Sequence, residues 1–433
     1  MDPVKVIRGM RDIYPDQTKW WHRLERQLAE LLKCYGYGEI RTPILEHTEL
    51  FKRSIGEETD IIEKEMYSFD DRDGSSLSLR PEGTAAVIRS YIENSQWQKE
   101  PLSRYYYLGQ MFRHERPQKG RYRQFSQVGV ELIGAAQPAA DVELIDVMVQ
   151  SMQAIGLSKT SLELNSLGCA ECRPVYRQKL KDTLEAQRQN LCDDCKRRMV
   201  KNPLRVLDCK VESCRAIAGK APKIIENLCS DCSQHFTHVR KGIETLGIAY
   251  NINHRMVRGL DYYTRTTFEV LAEGLGAQNA VAAGGRYDDL VKSLGGPEIP
   301  AVGFAAGLDR ILLNLISSLA EPAQADGVFV VTRGEEGWLA GLKLMQELRK
   351  IGIVVQSDVR SGSLKAQMKR ADKSGSRFVA LLGEDEIRQE SVTIKDMRAA
   401  ADSTEKQFSL AKKDVVQELL VRLNHQSTGE LSH

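Results

Sequence analysis

The stretch Phe112-Arg-His-Glu-Arg-Pro-Gln-Lys-Gly-Arg-Tyr-Arg-Gln-Phe125 decides the fold class of this chain. It holds five cations and one carboxylate between two strand-like stretches, Tyr105–Arg113 and Gln124–Ile133. A solvated hairpin is the simplest interpretation of such a basic loop. Arg113, however, closes the first strand where a polar face of the second begins. A guanidinium on a rigid strand suits bidentate binding of a phosphate.

The second of these strands alternates in character along its length. A period of two places its apolar residues on one face and the residues between them on the other. The two sets are Val128, Val130 and Leu132 against Gln127, Gly129 and Glu131. The pattern predicts an antiparallel sheet with one apolar face and one functional polar face. Glu131 alone could be an exposed strand carboxylate, but the amide on the same face favours a ligand-binding role.

Two further arginines occur in comparable settings. Arg258 lies beside Gly259 at the start of a predicted strand, 256–271. Arg310 lies in the first turn of a predicted helix, after glycines that permit close approach of the backbone. Each alone could form a structural ion pair. Together with Arg113 they favour a polyphosphate site.

Length and composition are those of an ordinary globular protein. The chain has 433 residues, of which 42% are apolar and 28% charged, and its net charge is +2. This near balance excludes a purely electrostatic nucleic-acid coat but allows a local basic patch. No apolar run approaches the roughly 18 residues of a membrane span, and the N-terminus lacks the apolar core of a signal peptide. We therefore expect a cytoplasmic protein with no membrane partner.

Residue composition and hydrophobic pattern divide the chain into a core, an insertion and a C-terminal domain. Residues 1–159 and 251–320 are expected to form an α+β core with a mixed, mainly antiparallel sheet. Residues 160–250 contain eight of the nine cysteines and are expected to form a helical insertion. Residues 326–425 alternate strand and helix signals in the order βαβαβ, which predicts a small α/β domain. The tail, 426–433, is expected to be disordered.

The clustered cysteines form four short pairs. In a reducing compartment such pairs favour metal binding over disulfides. Two structural Cys₄ zinc sites are the corresponding hypothesis, because the pair spacings suit tetrahedral thiolate coordination. The two sets would be Cys192, Cys195, Cys209 and Cys214, and Cys169, Cys172, Cys229 and Cys232. Reduced thiols packed in the insertion, or reversible disulfides, are the alternatives.

Several of these segments resemble class II aminoacyl-tRNA synthetases. The segment around Pro43 resembles motif 1, which builds the dimer interface of that class. Phe112–Phe125 resembles motif 2, and Gly303–Ile311 resembles motif 3. The three motifs imply the class, an α+β catalytic core and a homodimer. A strand edge broken by proline beside a long amphipathic helix is itself a plausible isologous interface.

Three other peptides resemble the histidyl-tRNA synthetase family in particular, and this likeness covers nearly the whole chain. Arg258–Tyr263 and Ala283–Asp288 resemble its two histidine-specific peptides, and Arg80–Thr84 matches its amino-acid-binding loop. The resemblance implies that L-histidine is activated with ATP and Mg²⁺ and then transferred to histidine tRNA. It also implies that the C-terminal domain binds the anticodon stem.

The resemblance implies a role for each matching residue. The histidine-binding set is Glu82, Gly83, Thr84, Gln127, Glu131, Tyr262, Tyr263 and Tyr287. The ATP-binding set is Arg113, Arg121, Arg258 and Arg310, of which Arg113 and Arg258 are the catalytic candidates. The tRNA acceptor end would meet the motif 2 loop at Arg116, Gln118 and Arg123, with Lys119 beside them.

The position of Tyr262 and Tyr263 on the predicted strand indicates which of the two binds the ligand. Tyr262 and Tyr263 would point to opposite faces, so that one of them packs in the core. Tyr263 is then the candidate ligand.

Two other functions compete with this interpretation. One is a synthetase paralogue that regulates ATP phosphoribosyltransferase and does not aminoacylate. Such paralogues lack the C-terminal domain and usually degrade motif 2 or the Arg258 peptide, which this chain retains. The other is a zinc-ribbon nucleic-acid-binding protein with an inactive core. The complete arginine set, Arg113, Arg258 and Arg310, argues against it.

Overall fold

The computed structural model describes residues 3–56, 59–118, 120–274, 279–316, 326–360, 362–400, 403 and 406–424. The chain forms two compact units, Met1–Ala320 and Glu321–His433. The tail expected at 426–433, and Lys119 of the basic loop, lie outside the described residues. Among the described helices, none is both long enough and apolar enough to traverse a lipid bilayer.

The first unit combines helices with two sheets. Within the described residues its helices are α1 (Pro15–Cys34), α2 (Thr48–Ile55), α3 (Thr84–Glu93), α4 (Pro138–Ala154), α5 (Cys172–Glu185), α6 (Asp193–Lys201), α7 (Glu212–Lys220), α8 (Ser230–Thr245), α9 (Leu290–Ser293) and α10 (Leu308–Leu315). Its strands are β1 (Gly38–Glu39), β2 (Leu45–His47), β3 (Tyr67–Asp70), β4 (Ser76–Leu79), β5 (Ser103–Phe112), β6 (Gln124–Ile133), β7 (Thr160–Ser166), β8 (Tyr250–Ile252), β9 (Thr264–Ala272), β10 (Ala280–Arg286) and β11 (Ala301–Gly307).

The main sheet has the strand order β1-β5-β6-β11-β10-β9-β7-β8. Its two outer pairs, β1 with β5 and β7 with β8, are parallel. The neighbours between them are antiparallel. The smaller sheet, β2-β4-β3, is antiparallel throughout. The prediction of a mixed, mainly antiparallel sheet is confirmed.

The two faces of the main sheet differ as the alternation in β6 predicts. Val128, Val130 and Leu132 are buried in a core that α1, α4 and α8 share. On the opposite face, α3 contributes Val87 to a second core that contains Tyr107 of β5. The polar residues of β6 therefore face the side of the sheet that α3 covers.

The insertion, defined by residues 167–249, leaves the main sheet after β7 and returns at β8. It contains α5, α6, α7 and α8, and its own core includes Tyr176, Leu180 and Met199 together with buried cysteines. Phe236 of α8 belongs to the core beneath the main sheet, so the last helix joins the insertion to that core. Residues 160–166, assigned to the insertion from the sequence, form β7 of the main sheet.

The second unit is an α/β domain. Its strands are β12 (Gly327–Thr332), β13 (Val354–Ser357), β14 (Phe378–Leu382), β15 (Ser391–Asp396) and β16 (Gln407–Ala411), and its helices are α11 (Gly334–Lys350), α12 (Leu364–Ser374), α13 (Glu384–Arg388) and α14 (Val415–Asn424). The strand order is β13-β12-β14-β15-β16. The βαβαβ prediction is correct for the parallel strands β12, β13 and β14. The antiparallel strands β15 and β16 were missed.

One strand prediction in the first unit was wrong in its limits, and another is confirmed. The strand predicted at 256–271 begins only at Thr264, so Arg258 lies in a loop. The sequence also predicts a strand broken by Pro43 over Glu39–Leu45, and the structure has two short strands, β1 and β2, with Pro43 between them. Proline has no N–H for a ladder hydrogen bond, which explains the interruption.

Candidate active site

A cavity of about 280 Å³ lies on the polar face of the main sheet. Its floor is formed by small residues of β10 and β11, among them Ala282, Ala283 and Ala305. Polar side chains from β6, from the loop before β9 and from the start of α10 form the walls. A floor of alanines leaves room for a ligand to lie flat against the sheet while charged groups meet it from the sides.

Three arginines gather on one side of this cavity. Arg113 follows the end of β5, and its Nε donates to the carbonyl oxygen of Pro81 at 2.8 Å. Arg310, in the first turn of α10, donates from Nε to Gly120 at 3.2 Å and from Nη1 to Ala280 at 3.0 Å. Arg121 forms an ion pair with Glu115 at 3.0 Å. The side chains are thus held by backbone carbonyls and one carboxylate.

The electrostatics of this arginine group favour an anion. The pKa of Arg310 is lowered, chiefly by burial and then by the positive charges of Arg121 and Arg113. A buried cation beside other cations is costly unless a negative charge compensates it. The three guanidinium groups line one cavity wall and so suit a polyphosphate, which offers several bidentate acceptors.

Arg258 enters the cavity from the loop that precedes β9. Its side chain is 14% exposed and forms an ion pair with Glu269 of β9. Its guanidinium also lies 5.4 Å from the ring centre of Tyr263. Among the described residues, the Nε of Arg258 and the Oε1 of Gln127 are buried atoms without a hydrogen-bond partner. Such atoms in a cavity wall are available to a polar ligand.

Two buried carboxyl groups, those of Glu82 and Glu131, belong to the same site. Glu82 accepts hydrogen bonds from the backbone N–H groups of Thr84 at 2.7 Å and Ala85 at 2.9 Å, at the start of α3. Burial nevertheless raises the pKa of Glu82. Glu131 of β6 is fully buried, and burial raises its pKa to about 8. Both carboxylates gain from a cationic partner, since a positive charge favours their ionised form.

Glu131 lies behind the cavity wall rather than on it. The hydroxyl of Thr84 donates to one of its oxygens at 2.7 Å, and the hydroxyl of Tyr287 donates to the other. Thr84 lines the cavity, but Glu131 and Tyr287 do not. Gly83 also lies behind the wall, against the ring of Tyr107. The predicted histidine-binding residues are therefore gathered in two layers, with Glu82, Thr84, Gln127, Tyr262 and Tyr263 in the inner one.

The prediction that Tyr262 and Tyr263 point to opposite faces of a strand was wrong. Both residues precede β9, so the period of a strand does not apply to them. Their ring centres lie 4.6 Å apart, and both line the cavity. Tyr287 packs edge-on against both, at 5.6 Å from Tyr262 and 6.3 Å from Tyr263.

Sequence reasoning missed Tyr107 and Glu269, which also line the cavity. Tyr107 pairs with Gly129 in the register of β5 and β6, and a Cβ at position 129 would overlap its ring. A large residue opposite a glycine on the predicted polar face was a usable signal. Glu269 carried no comparable signal, because its partner Arg258 comes from an irregular loop.

The residues predicted to contact the tRNA acceptor end do not line the cavity. Arg116, Gln118 and Arg123 lie in the connection between β5 and β6. Arg116 and Gln118 are exposed there. Arg123 is partly buried, and its Nε donates to the backbone of Glu115 at 3.3 Å. Two exposed polar residues beside an arginine-rich cavity are accessible to a large polar partner.

The eight cysteines of the insertion form two compact groups. The neck cluster consists of Cys169, Cys172, Cys229 and Cys232, and the distal cluster of Cys192, Cys195, Cys209 and Cys214. Within each cluster all Sγ atoms lie within 4.8 Å of one another. The cysteines are free thiols, so the disulfide alternative does not describe this structure. The grouping into four and four follows the sequence prediction.

Known proteins match the chain over both units. The family model of histidyl-tRNA synthetases covers residues 9–311, and an anticodon-binding domain model covers 328–422. The histidine–tRNA ligase of Syntrophotalea carbinolica is 50% identical over 394 residues, 91% of this chain and 94% of that protein. The histidine–tRNA ligase of Geobacter metallireducens is 47% identical over 397 residues, 92% and 96% of the two chains. The apo histidyl-tRNA synthetase of S. aureus has a TM-score of 0.80 at 34% identity, over 96% of this chain and 99% of that one.

The antiparallel sheet, the arginine-lined cavity and the matched anticodon-binding domain define a class II aminoacyl-tRNA synthetase, an enzyme of the ligase type. Within that class, the chain belongs to the histidyl-tRNA synthetase family.

The raised pKa of Glu131 gives a pH-dependent test of the buried layer. Its carboxyl stays protonated in the folded chain up to about pH 8, whereas an unfolded carboxyl ionises near 4.5. The folded state therefore binds more protons between these values, and folding stability falls as pH rises through that window. Glutamine at position 131 does not titrate, so the free energy of unfolding of Glu131→Gln should not fall in this way. Relative to the parent, the variant should gain up to about 1.4 kcal/mol for each unit by which the pH rises.

Urea unfolding of the parent and the variant from about pH 5 to about pH 8 measures the difference. A difference that stays constant over this range would contradict the protonated state of Glu131.

Proposed function

We propose that this chain is a histidine–tRNA ligase. It forms histidyl-adenylate and pyrophosphate from L-histidine and ATP, and then transfers histidine to the 3′ end of histidine tRNA. The main support is the cavity itself, where Arg113, Arg121, Arg258 and Arg310 line the same walls as the buried carboxylate of Glu82. Phosphate and amino acid can then meet between them. The family to which the chain belongs supports the same activity.

In the first step the carboxylate of histidine attacks the α-phosphorus of ATP, and negative charge grows on the phosphate oxygens. Arg113 binds the α-phosphate, while Arg310 and Arg121 bind the γ-phosphate. Arg258 approaches the α-phosphate and the carboxylate from the opposite side, with its unpartnered Nε available. Fixed guanidinium groups stabilise the transition state more than the ground state. Positioning and charge neutralisation suffice, so no side-chain nucleophile is needed.

Mg²⁺ accompanies ATP in this scheme. In such sites Mg²⁺ keeps several waters and is held by phosphate oxygens with one or two carboxylates. Glu115 lines the cavity beside Arg121 and would offer a carboxylate to the ion on the phosphate side. When bound, the ion would supply further neutralisation of phosphate charge beside the arginines.

Histidine is selected by the carboxylate side of the cavity. Glu82, Thr84 and Gln127 bind its α-amino group, and Tyr262 and Tyr263 flank the imidazole. Glu131 and Tyr287 act from the second layer. The Thr84 hydroxyl donates a hydrogen bond to Glu131. The lone pairs of the Thr84 oxygen therefore remain free to accept a hydrogen bond from the ligand.

Buried hydrogen-bonding groups reject a ligand that leaves them unpaired, by as much as ~10⁴-fold. Gly83 allows the close packing of Tyr107 that keeps this wall in place. The pocket therefore selects for an amino acid whose side chain carries ring nitrogens.

The tRNA meets both units of the chain. Residues 1–166 and 250–320 carry the catalytic core, 167–249 the insertion, and 326–425 the domain that binds the anticodon stem. At the acceptor end, Arg116 and Arg123 contact phosphates, which fixes position without reading sequence. Gln118 reads a base edge, because an amide both donates and accepts. By family resemblance that edge belongs to the extra 5′ guanosine and its partner base.

The catalytic core forms a homodimer through the segment around Pro43. Ile44 and Leu45 are 45% and 43% exposed there, so two adjacent apolar side chains are available to a partner. The neighbouring strand β1 lies at the edge of the main sheet. A second copy would cover the apolar pair and the edge together.

Each cysteine cluster holds one structural zinc ion. A tetrahedral site with ~2.3 Å Zn–S bonds has edges of about 3.8 Å between sulfur atoms. The Cys169 Sγ lies 3.7 Å from those of Cys172 and Cys229, and the Cys192 and Cys209 Sγ atoms are 3.9 Å apart. All four ligands of each site would be protein thiolates, so these ions would hold the fold and take no part in the chemistry. The cytoplasm keeps such thiols reduced and is the compartment we assign.

The role of Arg258 predicts the first kinetic result. Arg258→Ala should fold but lose ~10²–10³-fold in histidine-dependent pyrophosphate exchange, because a fixed donor to the transition state is removed. Arg255→Ala, at an exposed position three residues earlier, should keep the parent rate. Near-normal exchange in Arg258→Ala would overturn its assignment. Absence of exchange in the parent would instead favour the regulatory paralogue or the zinc-ribbon protein.

The role of Gln118 predicts a separation of the two steps. Gln118→Ala should leave pyrophosphate exchange almost intact but weaken charging of tRNA. It should also reduce the penalty for removing the extra guanosine, since one discriminating contact is worth ~1–3 kcal/mol. If the variant rejects tRNA without that guanosine as strongly as the parent does, another residue recognises the base. Arg116 and Arg123 would then be the next residues to test.

The dimer predicts a particle mass in solution. Light scattering at micromolar concentration should give twice the 48.7 kDa of one chain. Ile44→Asp with Leu45→Asp should shift the mass toward one chain, because two carboxylates would be buried in the interface. A parent that scatters as a single chain counts decisively against the interface.

The zinc sites predict a metal stoichiometry. Protein purified without chelator should contain two zinc ions per chain, and Cys195→Ser with Cys214→Ser should reduce this to one. Cys34→Ser, at the exposed cysteine outside both clusters, should leave the content unchanged. Much less than one zinc per parent chain rules out both sites.

A further inference from the structure

The insertion touches the active site through two arginines. Both contact the histidine loop, defined as residues 256–263, which carries Arg258 and the cavity tyrosines. Arg205, in the short turn Pro203–Val206, donates from Nη2 to the carbonyl oxygen of Gly259 at 2.7 Å. Arg173 of α5 donates from Nη2 to the carbonyl oxygen of Tyr263. The two contacts hold the loop at points four residues apart.

These arginines stand behind the loop, on the side away from the substrates. They line a second cavity of about 360 Å³ between the insertion and the core, which Arg258 and Tyr263 also line. Arg205 lies 3.5 Å from Asp261 of the loop, whose backbone N–H donates to Ile55 of the core. Neither Arg173 nor Arg205 lines the substrate cavity. Any influence on the reaction must therefore act through the loop.

The loop depends on such contacts because it has no regular structure of its own. It precedes β9, so no strand ladder fixes the backbone of Arg258, Tyr262 or Tyr263. A guanidinium on a carbonyl is a charge-assisted hydrogen bond, roughly twice as strong as a neutral one. Restraining the carbonyls of Gly259 and Tyr263 limits the rotation of the peptide units on either side of the functional residues.

The cysteine clusters are close to both arginines along the chain. Arg173 directly follows Cys172 of the neck cluster, and its backbone N–H donates to Cys169 at 3.0 Å. Arg205 lies four residues before Cys209 of the distal cluster. Each arginine is therefore set in position by the part of the insertion that one cluster organises.

We propose that Arg173 and Arg205 are positioning residues for histidine activation, and that the insertion acts as a two-point clamp on the histidine loop. The clamp places Arg258 against the reacting phosphate and Tyr263 against the imidazole. It rests on the proposed function and extends it to residues that touch neither substrate. ATP binding by Arg113, Arg121 and Arg310 is independent of the clamp, because those side chains are held by other segments.

The test compares Arg173→Ala and Arg205→Ala with Arg177→Ala. Arg177 is one turn further along α5 and lines the same second cavity, but it donates to Lys201 within the insertion. The clamp variants should lower kcat of pyrophosphate exchange by ~10–100-fold, since small misplacements of catalytic groups have effects of that order. Their KM for histidine should rise while their KM for ATP stays at the parent value. Arg177→Ala should match the parent.

Arg173→Lys separates positioning from general stabilisation. Its ammonium keeps a charged donor near the Tyr263 carbonyl and should recover part of the lost kcat. A merely structural loss would reduce the active fraction in all assays and leave both KM values unchanged. Unaltered kcat and histidine KM in both alanine variants would overturn the proposal.

Hydrogen exchange of the 256–263 peptide gives a readout that does not require activity. It should accelerate in Arg173→Ala and Arg205→Ala and stay at the parent rate in Arg177→Ala. Unchanged protection in the two clamp variants would refute the clamp. If the parent shows no histidine-dependent exchange of pyrophosphate, the proposed function fails, while the exchange of amide hydrogens still decides whether the insertion holds the loop.

Discussion

The register of the β5, β6 and β11 ladder determines which side chains reach the cavity. Glu131 stands opposite Gly303, and a Cβ at that glycine would overlap its carboxylate. Tyr107 stands opposite Gly129 with the same lack of space. A slip by one residue would turn every side chain of a strand to the other face. Bulky or charged groups paired with glycines therefore fix the polar face, and the loops and α3 are arranged around it.

The polar face brings arginines and buried carboxyl groups together around one cavity. Burial lowers the pKa of Arg310 and raises those of Glu82 and Glu131, so it disfavours the charged form of each group. A ligand of opposite charge offsets that cost. A polyphosphate beside the arginines and an ammonium group beside Glu82 would therefore stabilise the charged forms together. Ligand binding and local stability are thus coupled.

Much of this arrangement follows from local sequence pattern. The alternation in β6 predicted its buried face, and the cysteine spacings predicted the two clusters. The roles of Tyr262 and Tyr263 were predicted less well, because the period of a strand was applied to a loop. Contacts such as that of Glu269 with Arg258 join segments whose proximity depends on tertiary packing. Short antiparallel strands such as β15 and β16 escape detection for a similar reason, since pairing rather than propensity defines them.

The position of the neck cluster bears on the order in which the chain folds. β7 and β8 are parallel neighbours, although the whole insertion separates them. Closing a loop of about 80 residues costs roughly 4 kcal/mol of chain entropy. The Sγ atoms of Cys169 and Cys229 are 3.7 Å apart and 60 positions apart in sequence. An insertion that folds first, with its two ends held together where these cysteines meet, would bring both strands to the sheet at the same time. The pairing of β8 would then require little further loss of chain entropy.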